Sequence, residues 1–88
     1  MNPNVTVYTS PLCMPCRTTK RHLDKQGVPY TEVDATLHRD AHQYIKRLGY
    51  TQTPVVTVEL PDGLDHWSGY KPDRLDAIVY LAADRSAP

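Results

Sequence analysis

The stretch Cys13-Met14-Pro15-Cys16 stands where a predicted strand gives way to a predicted helix. Before it, residues 4–9 are rich in β-branched and aromatic side chains with alternation, a pattern typical of a strand, and Pro11 ends that pattern. After it, residues 14–26 are mostly good helix formers, and Gly27 is a typical helix-ending residue. The cysteine pair therefore lies at a strand-to-helix junction, in the first turn of the first helix.

Downstream of this junction, the pattern predicts a second strand, a second helix, two strands joined by a tight turn, and a closing helix. Apolar side chains at helical spacing indicate the helices, and Pro61-Asp62-Gly63 indicates the turn. The predicted ranges are 30–34, 41–48, 55–60, 64–68 and 72–82, of which the apolar run 55–60 suits a strand buried on both faces. We therefore expect an α/β fold of order β-α-β-α-β-β-α, with a four-stranded mixed sheet and helices on both faces.

The composition is that of one small globular domain. With 88 residues, 40% of them hydrophobic and 23% charged, the chain is long enough for a single core, and we expect one domain over residues 1–88. Ten basic and ten acidic side chains cancel, so neither nucleic-acid nor membrane binding is expected. No segment resembles a secretory leader or a membrane span. The expectation is a cytoplasmic monomer.

Two cysteines this close in sequence are unsuited to a structural role. Cross-linking so short a loop removes little entropy from the unfolded chain, and cytosolic cysteine pairs are usually redox-active or metal-binding. At a helix N-terminus, free backbone N–H groups and the helix dipole stabilise an anion, so we expect Cys13 to be the nucleophilic thiolate. Cys16, one turn further and more buried, would resolve the mixed disulfide. Pro15 suits a first turn, where its missing N–H is not needed.

Zinc binding is the main competing function for the cysteine pair. His38 and His42 have a spacing suited to a Cys2His2 site, but 21 residues separate Cys16 from His38, against about 12–15 in finger modules. Histidines at a solvated helix start are the more ordinary interpretation. We therefore expect no metal and no bound cofactor, only a redox-active Cys13–Cys16 disulfide.

Several other residues have ordinary structural interpretations. Trp67 is expected to pack at the sheet edge, with a partner contact as the alternative, and His22 and His66 are expected at the surface or partly packed. From the residues alone, the Thr53–Pro54 bond is expected to be trans, because cis forms are only about 5–6% of X-Pro bonds. The basic residues of the first helix are expected to form a solvated face, with docking to an acidic partner as the alternative; they are Arg17, Lys20, Arg21 and Lys25.

With these residues in view, the chain resembles the NrdH-redoxin family over residues 5–82, nearly its whole length. The most specific part is Trp67-Ser68-Gly69-Tyr70-Lys71-Pro72, which is similar to that family's W-S-G-[FY]-[RK]-P segment. The other shared segments are Val7-Tyr8-Thr9, the Cys13-to-Cys16 motif, Leu48-Gly49-Tyr50 and Thr53-Pro54-Val55-Val56. The resemblance implies a thioredoxin-like fold and a glutaredoxin-like sequence with thioredoxin-like activity.

The resemblance also implies roles for individual residues. It implies that Cys13 is the nucleophile and Cys16 the resolving cysteine, and that Thr53–Pro54 is a cis-proline turn whose Thr53 backbone pairs with an extended substrate. It implies electron transfer from NADPH, through thioredoxin reductase, to class Ib ribonucleotide reductase, the enzyme of deoxyribonucleotide synthesis. The expected substrate- or partner-binding residues are Met14, Pro15, Thr53, Pro54, Trp67, Ser68, Gly69 and Tyr70.

The sequence departs from this family at the cysteine motif. The family usually has glutamine before the second cysteine, whereas this chain has Pro15, the residue found in thioredoxin itself. This difference is expected to shift the redox potential and widen the substrate range. Family members often carry lysine where Ser10 stands, so one positive charge near Cys13 is absent. The first strand also carries no carboxylate to accept a proton from Cys16, and the sequence does not identify another acceptor.

Two other families share part of the pattern. A glutathione-dependent glutaredoxin is the closer alternative, but its glutathione site usually includes Gly-Gly and an Asp at the start of the last helix, and residues 68–73 keep only part of it. The segment Tyr8-Thr9-Ser10-Pro11, with Arg17, also resembles the Spx regulators, which are longer and lack the tryptophan segment. A redox-sensing regulator is therefore a distant alternative, as is a zinc-binding module.

Overall fold

A computed structural model describes residues 4–86 of the chain, with side chains as far as Leu81. Within that range the elements follow the predicted order β-α-β-α-β-β-α. The helix α2 begins two residues before its predicted start, because its first turn is polar and carries no apolar periodicity. The elements are β1 (Asn4–Thr9), α1 (Met14–Lys25), β2 (Thr31–Asp34), α2 (Arg39–Arg47), β3 (Val55–Leu60), β4 (Gly63–Ser68) and α3 (Pro72–Ser86).

The four strands form one mixed sheet of order β2-β1-β3-β4, as predicted. The crossover through α1 makes β1 and β2 parallel, whereas β3 is antiparallel to both β1 and β4. β1 is therefore an inner strand, and its last residue, Thr9, pairs with Asp34 at the end of β2. The residues that follow Thr9 leave the sheet near its middle, which brings the cysteine pair to that end of the sheet.

Helices cover both faces of the sheet, and each face has its own apolar cluster. The larger cluster joins β1 and β3 to α1 and α3, through the pairs Val5–Val58 and Val7–Val56 on the strands and Leu23, Leu75 and Ile78 on the helices. The smaller cluster packs α2 on the opposite face, through Ala35, Ile45 and Val55. Val55, Val56 and Val58 thus serve both faces, which confirms that β3 is buried on both sides.

No helix in the described part of the chain has the length and apolar character that crossing a membrane requires. The helices are instead amphipathic elements of this small core. In α1 the buried residues Cys16, Thr19 and Leu23 follow helical spacing, as predicted, and Gly27 follows the helix with a positive φ of 71°. The cost of that conformation is lowest for glycine.

The core assignment predicts different costs for two leucine truncations. Leu23 is fully buried, whereas Leu37 is 76% exposed. Leu23→Ala should lower the free energy of unfolding by about 3 kcal/mol, because it removes buried methyl groups and leaves a cavity. The matched variant Leu37→Ala should change it by less than about 0.5 kcal/mol. Urea unfolding followed by circular dichroism measures both, and equal effects would contradict the assignment.

Candidate active site

The side chain of Cys13 forms the N-terminal cap of α1. Cys13 has an extended backbone, and its Sγ accepts a hydrogen bond from the backbone N–H of Cys16 at 3.1 Å. Its carbonyl accepts the N–H of Arg17 at 3.2 Å, the first bond of the helix ladder. A proline occupies the first turn, where the helix needs no donor. The sulfur of Cys13 therefore lies at the positive end of the helix dipole.

Cys13 and Cys16 are joined by a disulfide, and the two sulfurs differ in accessibility. Cys16 is 2% exposed, whereas Cys13 is partly exposed. The residues around Cys13 leave it open to a partner: Leu12 is 92% exposed and Met14 64% exposed. Leu12 also has a positive φ of 58°, an uncommon conformation for leucine that occurs most often near functional sites. The outer sulfur thus sits between two exposed apolar side chains.

The loop before β3 faces the same sulfur. The Thr53–Pro54 peptide bond is cis, so the prediction of a trans bond from the residues alone was wrong and the expectation from the family resemblance is confirmed. Thr53 Oγ1 lies 3.6 Å from Cys13 Sγ and can donate to it. Ser10 Oγ lies 2.6 Å from Thr53 Oγ1. Two hydroxyl groups therefore connect the end of β1 to the reactive sulfur.

The segment Trp67-Ser68-Gly69-Tyr70 is joined to this loop by two hydrogen bonds to backbone carbonyls. The N–H of Gly69 donates to the carbonyl of Pro54 at 2.8 Å, and Ser68 Oγ donates to the carbonyl of Gln52 at 3.2 Å. Trp67 lies in the larger apolar cluster and is only 3% exposed. Trp67 therefore packs in the core, as the first of its two interpretations predicted. Only the residues after it, Ser68, Gly69 and Tyr70, reach the surface.

A histidine on α1 connects this segment to α3. His22 Nδ1 lies 3.0 Å from the Tyr70 hydroxyl, and His22 Nε2 lies 2.9 Å from Asp76 Oδ1. From the sequence, His22 is expected only to lie at the surface or to be partly packed. His66 has a similar contact, at 2.7 Å from the Tyr50 hydroxyl through Nδ1. Both histidines are thus partners of tyrosines, which spacing along the chain does not reveal.

A cavity of about 270 Å³ lies beside the disulfide. Lys20 Nζ and Glu32 Oε2 form an ion pair of 2.8 Å at this cavity, and Thr9 Oγ1 donates to the same carboxylate at 3.4 Å. Asp34 is the other carboxylate there, and hydrogen bonds from the Thr36 side chain and backbone hold its pKa below the usual value. The cavity lining is Thr9, Ser10, Pro11, Leu12, Cys13, Cys16, Arg17, Lys20, Glu32 and Asp34.

The carboxylates nearest the cysteines lie on β2, not on the first strand. Glu32 and Asp34 belong to β2, which pairs with β1 in parallel, and the first strand itself carries no carboxylate. The parallel pairing of the predicted strands was the signal that could have found them. Lys20, expected on a solvated basic face, is in the ion pair with Glu32, and Arg17 remains exposed.

The predicted zinc alternative has no counterpart in the described geometry. Among the side chains that the structure describes, residues 4–81, no group of three or more His, Cys, Asp or Glu is arranged to hold a metal ion. His38 is the N-cap residue of α2, and His42 lines a groove of about 510 Å³ beside Ser10, Tyr50 and Thr53. That groove opens next to the hydroxyl groups that face Cys13.

Comparisons with known proteins agree on one family. The family model described as glutaredoxin matches residues 5–59. Gene 56 protein of Mycobacterium phage L5 is 37% identical over 91% of this chain and 78% of its own. The glutaredoxin-like protein NrdH of Salmonella typhimurium is 32% identical over 85% of this chain and 88% of its own. The solved structure of NrdH-redoxin from Escherichia coli, described as having a thioredoxin-like activity profile, covers 97% of this chain and 96% of its own, with a TM-score of 0.72 and 27% identity.

The tie between Gly69 and Pro54 can be tested through the backbone of Gly69, whose φ is 86°. A Cβ at this position would meet no other atom within 4 Å, so the cost of a substitution comes from conformation alone. Gly69→Val should lower the free energy of unfolding by about 1–2 kcal/mol, because β-branched residues avoid positive φ. Gly69→Asn should cost less, since asparagine tolerates this region. If the Gly69→Val protein were as stable as the parent in thermal unfolding, the requirement for a positive φ at Gly69 would be wrong.

Proposed function

Since this chain belongs to the glutaredoxin family and is an NrdH-type thiol-disulfide oxidoreductase, we propose that it reduces disulfide bonds of target proteins through Cys13 and Cys16. The observation that carries this proposal is the capping bond, in which the Cys16 N–H donates to Cys13 Sγ at 3.1 Å. A sulfur in that position is stabilised as a thiolate once the disulfide is reduced. Cys13 is also the more exposed of the two cysteines.

In the first step, the Cys13 thiolate attacks one sulfur of a target disulfide. A Cys13–target sulfur bond forms, the target disulfide breaks, and the second target sulfur leaves as a thiolate that takes a proton from solvent. Exposed Leu12 and Met14 flank the attacking sulfur, so the preferred target presents apolar residues next to its disulfide. Nearby Thr53 offers its backbone to an extended target segment, in the manner of strand addition.

In the second step, Cys16 loses its thiol proton and attacks Cys13 Sγ. The bond between Cys13 and the target breaks, the target sulfur leaves as a thiolate that takes a proton from solvent, and the Cys13–Cys16 disulfide forms, so the target has gained two electrons and two protons. Cys16 is 2% exposed, and it lines the cavity that also holds Glu32. A cavity of this size has room for water, so the Glu32 carboxylate accepts the proton through solvent in the cavity. Asp34 is the weaker acceptor, because hydrogen bonds from Thr36 lower its pKa.

The proposal also names an electron source and a target protein. Thioredoxin reductase supplies two electrons from NADPH, and class Ib ribonucleotide reductase is the target, with the cytoplasm as the setting. The similarity to relatives named NrdH supports this assignment, as does the exposed turn after Trp67. The residues proposed to contact reductase or target are Met14, Pro15, Thr53, Ser68, Gly69 and Tyr70, while the buried Pro54 and Trp67 support them from beneath.

A coupled assay of NADPH consumption tests the electron source. The protein is supplied with a disulfide substrate and either with thioredoxin reductase or with glutathione and glutathione reductase. We expect turnover with thioredoxin reductase only. Turnover with glutathione only would make the chain a glutathione-dependent glutaredoxin, and activity with neither would refute the proposed reductase function.

Two cysteine variants are the controls for this assay. Cys13→Ser should abolish turnover, because no thiolate remains to attack. Cys16→Ser should accumulate the mixed disulfide with the target, which non-reducing electrophoresis detects as a larger species. Disulfide reduction by Cys13→Ser would contradict the assignment of roles.

The acceptor role of Glu32 predicts a slower resolving step in Glu32→Gln. The rate of target release from the mixed disulfide should fall on the order of 100-fold, the lower end of general-base effects, in a single-turnover experiment near neutral pH. Asp34→Asn is the matched control, since it removes a carboxylate from the same cavity, and it should leave the rate nearly unchanged.

The sign of the change separates two roles for Glu32. Removing a negative charge near Cys16 would by itself favour the Cys16 thiolate and speed the step. A faster step in Glu32→Gln would therefore mean that this carboxylate acts only through its charge, and the acceptor role would be wrong.

A further inference from the structure

The hydroxyl groups of Ser10 and Thr53 form a chain of hydrogen bonds that ends at the sulfur of Cys13. Thr53 Oγ1 lies 3.6 Å from Cys13 Sγ, within the range for a hydrogen bond to sulfur. Ser10 Oγ lies 2.6 Å from Thr53 Oγ1. These contacts join residues 40 and 43 positions apart in the chain, so they exist only because the fold brings Thr53 to the segment 10–13.

The donor direction in this chain of hydroxyls follows from counting protons. A hydroxyl carries one hydrogen, and the Thr53 hydrogen is directed to Cys13 Sγ. While the Thr53 hydrogen points at Cys13 Sγ, the contact between Ser10 and Thr53 uses the Ser10 hydrogen, with Thr53 Oγ1 as acceptor. Successive hydrogen bonds of this kind polarise one another, so Ser10 strengthens Thr53 as a donor.

Both hydroxyls are held by rigid parts of the molecule. Ser10 follows directly on Thr9, the last residue of the inner strand β1. Thr53 precedes buried Pro54, whose carbonyl accepts the Gly69 N–H at 2.8 Å. Little reorganisation is therefore needed when charge develops on the sulfur, which is the condition for effective electrostatic stabilisation.

We propose that Thr53 is a thiolate-stabilising donor to Cys13, and that Ser10 is a positioning residue that acts through Thr53. A thiolate accepts hydrogen bonds more strongly than a disulfide sulfur does, so the Thr53 bond favours the reduced, reactive state. The inference rests on the proposed function only in taking Cys13 as the attacking sulfur.

The charged groups around Cys13 do not account for its stabilisation on their own. Arg17 and Lys20 from α1 share the cavity beside Cys13 with Glu32 and Asp34 from β2. Two positive and two negative side chains leave no net charge there, and Lys20 is already paired with Glu32. The donors in direct contact with the sulfur, the Cys16 N–H and the Thr53 hydroxyl, therefore carry the local stabilisation.

The test is an ultraviolet titration of the Cys13 thiolate in the reduced protein, in a Cys16→Ser background that leaves one thiol. Thr53→Val keeps the side-chain shape but removes the hydroxyl, and it should raise the titration midpoint by about one pH unit. Thr53→Ser keeps the donor and should restore a midpoint close to that of the parent. Thr51→Val, a change of the same type at an exposed position of the same loop, should have no effect.

A double-mutant cycle tests the role of Ser10. Ser10→Ala should raise the midpoint by a smaller amount than Thr53→Val does, and it should have no further effect once Thr53 is valine, because its action passes through that hydroxyl. An unchanged midpoint in Thr53→Val would overturn the proposal. An effect of Ser10→Ala that persists in the Thr53→Val protein would overturn the positioning role.

The titration contains no reductase, NADPH or target protein, so its outcome is independent of the electron source. Shifted midpoints in a protein that is inactive in the coupled assay would refute the proposed function and keep this inference. If Thr53→Val does not fold, as judged by circular dichroism, the Thr53→Ser and Ser10→Ala proteins still decide: equal midpoints for Ser10→Ala and its parent would count against the hydroxyl pair.

Discussion

The hydrogen bond from the Cys16 amide to the Cys13 sulfur is the interaction on which the site depends. It makes one side chain serve two purposes, because the same sulfur caps α1 and reacts with the target. A helix must satisfy the free N–H groups of its first turn, and here a cysteine does so. The capping requirement thus fixes the sulfur at the position where an anion is most stable. Leu12, with its positive φ, turns the chain into that position and stands exposed beside it.

The sheet supplies a frame that holds three separate segments around this cap. β1 leads into the cysteine motif, β3 follows directly on the cis Pro54, and β4 ends at Ser68, where the turn begins. Because these strands are neighbours in the order β2-β1-β3-β4, their ends converge at one edge. The Gly69–Pro54 bond then locks the last two segments together. The larger apolar cluster, to which Trp67 belongs, keeps the frame rigid from below.

The sequence predicted the elements well because periodicity and turn residues are local signals, and it placed Cys13 and Cys16 at the helix start for the same reason. It did not predict contacts between distant residues. The Ser10–Thr53 and His22–Tyr70 contacts join residues 43 and 48 positions apart, and no pattern of spacing reports such a meeting. The cis bond at Pro54 could not be predicted from the residues alone, because most X-Pro bonds are trans. The resemblance to a family predicted the cis bond. Glu32 was missed because it lies on β2, and only the pairing of that strand with β1 brings it near the cysteines.

The small ring closed by the disulfide has a consequence for the life of the molecule in a cell. Cys13 and Cys16 are three positions apart, and neither belongs to the two apolar clusters. Opening the ring therefore frees little of the unfolded chain and leaves the core contacts in place. Proteases act on transiently opened molecules, whose population follows the folding free energy. The ring still removes some entropy from the unfolded chain, worth about 2 kcal/mol for a loop this short, so reduced copies open more often than oxidised copies and are the ones that proteases reach more often.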